Sequence, residues 1–228
     1  MKKTSTKQLK SLADEVVKRL EGIYPDPACA LEYSGEPWRL MVMARLSAQC
    51  TDKRVNIVCR DLFEKYPSPK ALANAELSDV ENIIRSCGLY RVKAKDIISE
   101  CQLLISEYNG IVPNTMEDLL RFDGIGRKVA NLLLGDIYKL PAVVVDTHCM
   151  RITKRLGLVS ESVKAPEKIE YILKELIDPE KQSDFCHRIV DFGRDTCDAR
   201  SPKCENCVMQ DICAYFQKTN KSASASEG

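Results

Sequence analysis

The sequence predicts an all-α protein, and three observations carry that prediction. Helix caps and helix stops recur from end to end, apolar residues return at three- and four-residue spacings, and alternating strand patterns are nearly absent. Only Ala142 to Val145 has strand-like residues, and that run is too short to build a sheet.

The elements follow in order. Leu9, Leu12, Val16, Val17, Leu20 and Ile23 share one helical face, and the region of Pro25, Pro27, Gly35 and Pro37 then breaks the pattern, which marks a domain boundary. From Trp38 to Leu46 nearly every residue is apolar, as in a helix buried on all sides, with Arg39 and Arg45 as the exceptions. Further helices open at Thr51, at Ser68 before Pro69, at the capping box Ser78-Asp79-Val80-Glu81, and at Thr115 with Asp118 three residues on. Pro67, Gly88, Asn109-Gly110 and Gly157 stop them, so short helices are joined by short turns, as in a compact bundle. Residues 217–228, rich in Ser, Ala and Lys, read as a disordered tail.

The chain has 228 residues and a net charge of +1. Bulk charge therefore announces neither a nucleic-acid partner nor a polybasic membrane anchor, and any basic surface must come from local asymmetry. Met1 to Lys10 is polar and basic with no apolar core behind it, unlike a secretory signal or a membrane span. Eleven cysteines without such a signal suit a reducing, intracellular setting.

Four of those cysteines, Cys197, Cys204, Cys207 and Cys213, form a C-x6-C-x2-C-x5-C block. Four thiolates in one short loop can hold a metal centre. Iron–sulfur clusters take four cysteines, whereas structural zinc more often uses two C-x2-C knuckles, and only Cys204 and Cys207 make such a pair. Spacing favours a [4Fe-4S] cluster and leaves zinc open.

Upstream lies Asp123-Gly124-Ile125-Gly126-Arg127, between a helix ending near Phe122 and a helix opening at Lys128. Two glycines two apart allow the peptide N–H groups to turn outward, and the next helix adds its positive end; together they suit a phosphate. A bare G-x-G between helices is more often only a tight turn. Lys128, in the first turn, opposes the helix dipole; burial there would favour the neutral, nucleophilic amine, although a solvated surface lysine is the plainer reading. Asp146 follows the Ala142 to Val145 run and precedes a helix, the place of an N-cap, where a carboxylate is also rigidly aimed.

Asp123-Gly-Ile-Gly-Arg-Lys128, Val145-Asp146-Thr147-His148 and the four-cysteine loop, in that order, resemble the endonuclease III family of DNA glycosylases in the helix-hairpin-helix superfamily. Leu46-Ser47-Ala48-Gln49-Cys50-Thr51-Asp52 resembles the family's LSAQ-x-TD turn, and Cys87-Gly88-Leu89-Tyr90 with Lys93-Ala94 resembles its GLY-x-x-KA turn. The similarity spans roughly Lys7 to Phe216.

The resemblance implies a two-domain helix-hairpin-helix glycosylase fold with a C-terminal iron–sulfur cluster loop. A six-helix barrel domain would cover 38–150, and a cluster domain would combine 1–37 with 151–216, with DNA in the cleft between them. Double-stranded DNA containing damaged bases or abasic sites is the implied partner, bound by a monomer without membrane association, in a prokaryotic-type cytoplasm at the nucleoid. The implied chemistry is base-excision repair: Lys128 attacks the sugar C1′ beneath an oxidised pyrimidine, forms a Schiff base and permits β-elimination, while Asp146 assists. Gln49 and Leu89 would fill the stack vacated by the flipped nucleotide. Gly124, Gly126, Arg127, His148, Arg200 and Lys203 would contact DNA. Cys197, Cys204, Cys207 and Cys213 would ligate the [4Fe-4S] cluster as a structural and electrostatic brace.

Two positions depart from the family pattern. Asp123 stands where proline is usual, placing a carboxylate beside the phosphate site, and Arg45 stands at a usually apolar helix position from which it could reach the base pocket. An adenine-mismatch glycosylase is the nearest alternative, but it lacks the hairpin lysine and needs a glutamate in the early buried helix; Trp38 to Gln49 contains no carboxylate. A non-catalytic, metal-bearing DNA-damage-binding module is the alternative from another class, and the presence of both Lys128 and Asp146 opposes it.

Overall fold

The computed structural model describes residues 5–224, with side chains through 219. The chain divides into two units, 29–139 and the pair of segments 1–28 and 140–228. Residues 29–37 thus fall in the continuous unit and 140–150 in the discontinuous one. Among the described residues there is no strand, and no helix is long and apolar enough to cross a membrane.

The discontinuous unit begins with α1 (Thr6–Ile23), opened by a capping box in which Ser5 Oγ accepts from Gln8 N and Gln8 Oε1 accepts from Ser5 N. Its apolar face buries Ala13, Val16, Val17 and Leu20.

The continuous unit holds α2 (Pro37–Leu46), α3 (Asp52–Lys65), α4 (Pro69–Ala73), α5 (Leu77–Ile83), α6 (Tyr90–Tyr108), α7 (Met116–Leu119) and α8 (Arg127–Tyr138). α2 is the central helix: it packs on α3, α6 and α8, and buries seven of its ten residues. A residue in the middle of a bundle has neighbours on every side, which is why α2 is apolar apart from Arg39 and Arg45. Trp38 meets Phe63 of α3 edge-on at 5.0 Å between ring centroids. α6 is the long outer partner, packing on α2, α4 and α5.

Thr51, Ser68 and Thr115 cap their helices as expected, accepting from Arg54, Ala71 and Asp118 N–H groups. The box at Ser78 is not used. α5 starts two residues earlier, with Glu76 at the N-cap and no side-chain cap bond, because that register buries Val80 and turns Asp79 toward Lys65 Nζ, 2.6 Å away, and Tyr66 Oη. α7 stops at Leu119, before Phe122, which closes the following turn from the core.

The discontinuous unit resumes with α9 (Thr147–Leu156), α10 (Pro166–Leu176), α11 (Gln182–Asp195) and α12 (Ala214–Ser224). α9 packs on α11 and α12, and α1 packs on α10 and α11. Val143 and Val145 join Leu20, Ile152, Ile169, Leu173, Phe185, Ile189 and Met209 in one core, so the strand-like run is extended chain buried among helices. Arg19 ties α1 to the C-terminal segment, donating to Val208 O and to both oxygens of Asp211. α12 carries helix through Ser224 into the segment expected to be a tail; Ala, Gln and Lys favour helix there, and 225–228 lie outside the described residues.

Candidate functional site

The hairpin is built by one glycine and one anchor. Gly124 has φ +82°, a conformation that residues with a Cβ rarely adopt, and Ile125, buried, donates its N–H to Phe122 O at 3.1 Å. Gly126 is the N-cap of α8, with open space where a Cβ would be. The turn therefore leads into the start of α8, whose first amides have no partner within the helix and suit an anion. Arg127 is half-buried, and Lys128 and Asp123 are exposed. Lys128, the second residue of α8, is solvent-exposed, as the plainer reading of the sequence has it.

Arg45 does not stand as a lone charge in an apolar helix. Its Nε donates to Asp96 Oδ2 of α6 at 2.8 Å, Nη2 donates to the same oxygen, and its side chain lies against the backbone of Gly124. One turn along α6, Glu100 is 1% exposed and neither carboxylate oxygen has a hydrogen-bond partner. Burial raises its pKa well above the ordinary carboxylate value, against the opposing pull of Arg45.

Gln49 and Leu89 are both exposed and both left-handed, with φ 54° and 59°. Leu89 is 60% exposed at the start of α6. Non-glycine residues in this region are disfavoured and concentrate where a ligand is handled. Behind them Lys93 is 1% exposed, and its Nζ donates to Leu46 O at 2.8 Å and Ala48 O at 2.6 Å. Desolvation lowers its pKa. Sequence reading noted Lys93 only within a motif, although its register with Ile97, Cys101 and Leu104 already places it on the buried face of α6.

In the discontinuous unit, Asp146 is the N-cap of α9: Oδ1 accepts from Cys149 N at 2.7 Å. His148, in the first turn, has Nδ1 3.2 Å from Arg151 Nη2 and packs on Gly193 of α11. Lys128 and Asp146 thus belong to different units.

Cys197, Cys204, Cys207 and Cys213 line one pocket with Arg155, Met209 and Phe192, and none is in a disulfide. Burial, then the nearness of Cys197 and Cys213, raises the Cys204 thiol; burial likewise dominates at Cys207, where the other three cysteines add. Thiols that raise one another's pKa need a multivalent cation to stay ionised together, so the donor set fits an iron–sulfur group. Among the described residues no three His, Cys, Asp or Glu side chains close up as a site for a single metal ion. Hydrogen bonds to sulfur are already in place from Arg155 Nη1 to Cys197 at 3.3 Å and from Met209 N to Cys207 at 3.4 Å. Arg155 also donates to Asp198 O and Ala199 O, and Arg151 to Cys197 O. The loop that follows is turned by Asp198, whose Oδ1 accepts from Arg200 and Ser201 N–H groups. Arg200 and Lys203 are exposed on it. Sequence reading missed Arg151 and Arg155; their only signal is an i, i+4 spacing on α9.

Residues 42–179 match the model of the HhH-GPD superfamily of base excision DNA repair proteins, and residues 197–213 match the iron–sulfur binding domain of endonuclease III. The chain belongs to the endonuclease III family. It is 40% identical to endonuclease III of Synechocystis over 91% of this chain and 94% of that one, and 34% identical to endonuclease III of Escherichia coli over 90% and 96%. A solved non-covalent endonuclease III–DNA complex superposes with a TM-score of 0.86 at 37% identity, covering 96% of this chain and all of that one. A thermostable thymine-DNA glycosylase shares the fold, at a TM-score of 0.84 and 21% identity. The endonuclease III family is enzymatic, made of DNA glycosylases and AP lyases acting in base excision repair, and this chain is an enzyme of that class with a [4Fe-4S] cofactor.

Proposed function

We propose that the chain removes oxidised pyrimidines from double-stranded DNA and then cuts the abasic site through a Schiff base on Lys128. The observation that carries this reading is an exposed amine on the second residue of α8, directly behind the Gly124-Ile125-Gly126 turn. A phosphate held by that turn and by the start of α8 brings its sugar toward the amine.

Asp146 takes a proton from the Lys128 ammonium. The freed amine bonds to C1′, the bond from C1′ to the base breaks, and the electron pair leaves with the base. The departing base takes up the proton that Asp146 accepted, and the carboxylate thus restored offsets the positive charge that develops on the sugar. The bond from C1′ to the ring oxygen O4′ then breaks, O4′ keeping the electron pair and taking up a proton from the amine nitrogen, and C1′ and the nitrogen are left joined as the Schiff base. Loss of a proton from C2′ forms a C2′–C3′ double bond and expels the 3′ phosphate. Gln49 and Leu89 fill the space that the extruded nucleotide leaves. Gly124, Gly126, Arg127, His148, Arg200 and Lys203 hold the backbone. Cys197, Cys204, Cys207 and Cys213 hold the cluster, which when bound supplies iron–thiolate cross-links that stiffen the loop carrying Arg200 and Lys203. The enzyme works as a monomer, in the cytoplasm at the nucleoid.

Borohydride trapping on duplex DNA containing thymine glycol tests the reading. A covalent adduct that vanishes in Lys128→Ala supports it, and intact binding with no adduct in the unaltered protein removes it.

A further inference from the structure

One buried side chain joins the two turns that this reading places in the DNA stack. Lys93 lies in the first turn of α6, where its backbone N–H bonds to Leu89 O at 3.1 Å. Its Nζ reaches back to the end of α2 and takes the carbonyls of Leu46 and Ala48, immediately before Gln49. Leu46 O belongs to the last turn of α2, where carbonyls lack intrahelical partners and a cation is favoured, and Ala48 O to the turn that follows it. Between the two turns, a Cβ on Gly88 would stand 3.4 Å from Gln49 O, so the backbones run in contact. Gln49 and Leu89 each hold a left-handed conformation that a residue with a Cβ leaves readily unless its surroundings fix it.

We infer that Lys93 is a positioning residue for base extrusion: its ammonium locks the Gln49 and Leu89 turns in one fixed relation, so that both side chains enter the duplex together. A cap on α2 alone would need no link to Leu89. The inference rests on the proposed role of Gln49 and Leu89, and a test must separate the two.

The test uses full-length, cluster-loaded protein and a duplex with thymine glycol beside 2-aminopurine. Unaltered protein, Lys93→Met, a Gln49→Ala plus Leu89→Ala double variant and the triple variant are compared. Fluorescence of 2-aminopurine reports extrusion, and single-turnover assays report base release and cleavage at a preformed abasic site. Lys93→Met slows extrusion and base release by about tenfold or more while abasic cleavage falls less than about threefold, since no base then leaves the stack. Adding Lys93→Met to the double variant has no further effect, because the residues through which it acts are gone.

Equal loss of all three readouts, or full additivity in the triple variant, overturns the inference. A slow double variant beside a Lys93→Met protein as fast as the unaltered one overturns the Lys93 role alone. A double variant that extrudes at the unaltered rate overturns the Gln49 and Leu89 reading itself. Should Lys93→Met fail to fold, as judged by circular dichroism and visible absorbance, Lys93→Gln, which keeps a donor, carries the same comparison with a smaller loss.

Discussion

Arg45 lies flat against the backbone of Gly124: a Cβ placed on that glycine would stand 2.7 Å from Arg45 Cδ and 2.8 Å from Cζ. The guanidinium is meanwhile held by Asp96, so it is not free to swing away. A cation from α2 thus supports the hairpin from beneath, and the departure at Arg45 acts on the hairpin through this contact.

Gly124→Ala therefore faces both a left-handed φ and a pinned side chain, and loses about 2 kcal/mol or more of stability in urea unfolding. In a double-mutant cycle with Arg45→Ala, part of that loss disappears, because the steric share goes with Arg45 and the backbone share remains. Strict additivity would show that the contact has no energetic weight.

Glu100 sets a pH dependence of unusual sign. Its folded pKa is raised by burial, with Arg45 opposing and Asp96 and Asp123 adding to the rise. Above about pH 4.3 the unfolded carboxyl loses its proton while the folded one keeps it, so stability from this group is full below that pH and falls as pH rises. Glu100→Gln removes the fall: the variant is more stable than its parent at pH 7, and the two converge toward pH 4 in chemical denaturation. A variant less stable at pH 7 contradicts this account.

Arg155 is the hub of the cysteine loop, donating to Cys197 Sγ and to the carbonyls of Asp198 and Ala199, with its guanidinium 4.9 Å from the Tyr215 ring centroid. In Arg155→Met the four thiols remain, so the broad absorbance at about 400 nm still develops. Its decay in an iron chelator is several-fold faster than in the parent, because the loop no longer holds Cys197 in place. Equal decay rates would assign Arg155 to the surface alone.

Leu89→Ala separates function from stability. The side chain is 60% exposed, so unfolding free energy stays within about 0.5 kcal/mol of the parent. Release of a damaged base from duplex DNA falls, while borohydride trapping at a preformed abasic site is largely kept. A loss confined to thermal stability would make Leu89 a packing residue.

The features legible in the sequence are local ones. Asp146 needs only the next three residues to act as a cap, Gly124 needs only its own φ, and the cysteine block is read from spacing. The Ser78 box shows where local reading fails: its four residues carry the right types, yet the burial of Val80 and the pull of Lys65 and Tyr66 on Asp79 choose another register.

By itself the sequence determined the helical class, the hairpin glycines, the Asp146 cap and the four thiols, since each depends on backbone preferences or ligand chemistry within a few residues. Only the tertiary structure decided that Lys93 grips carbonyls 47 and 45 positions earlier and that Arg45 meets Asp96 across 51 positions. A buried charge is tolerable only beside a partner, and the partner's address is a property of packing.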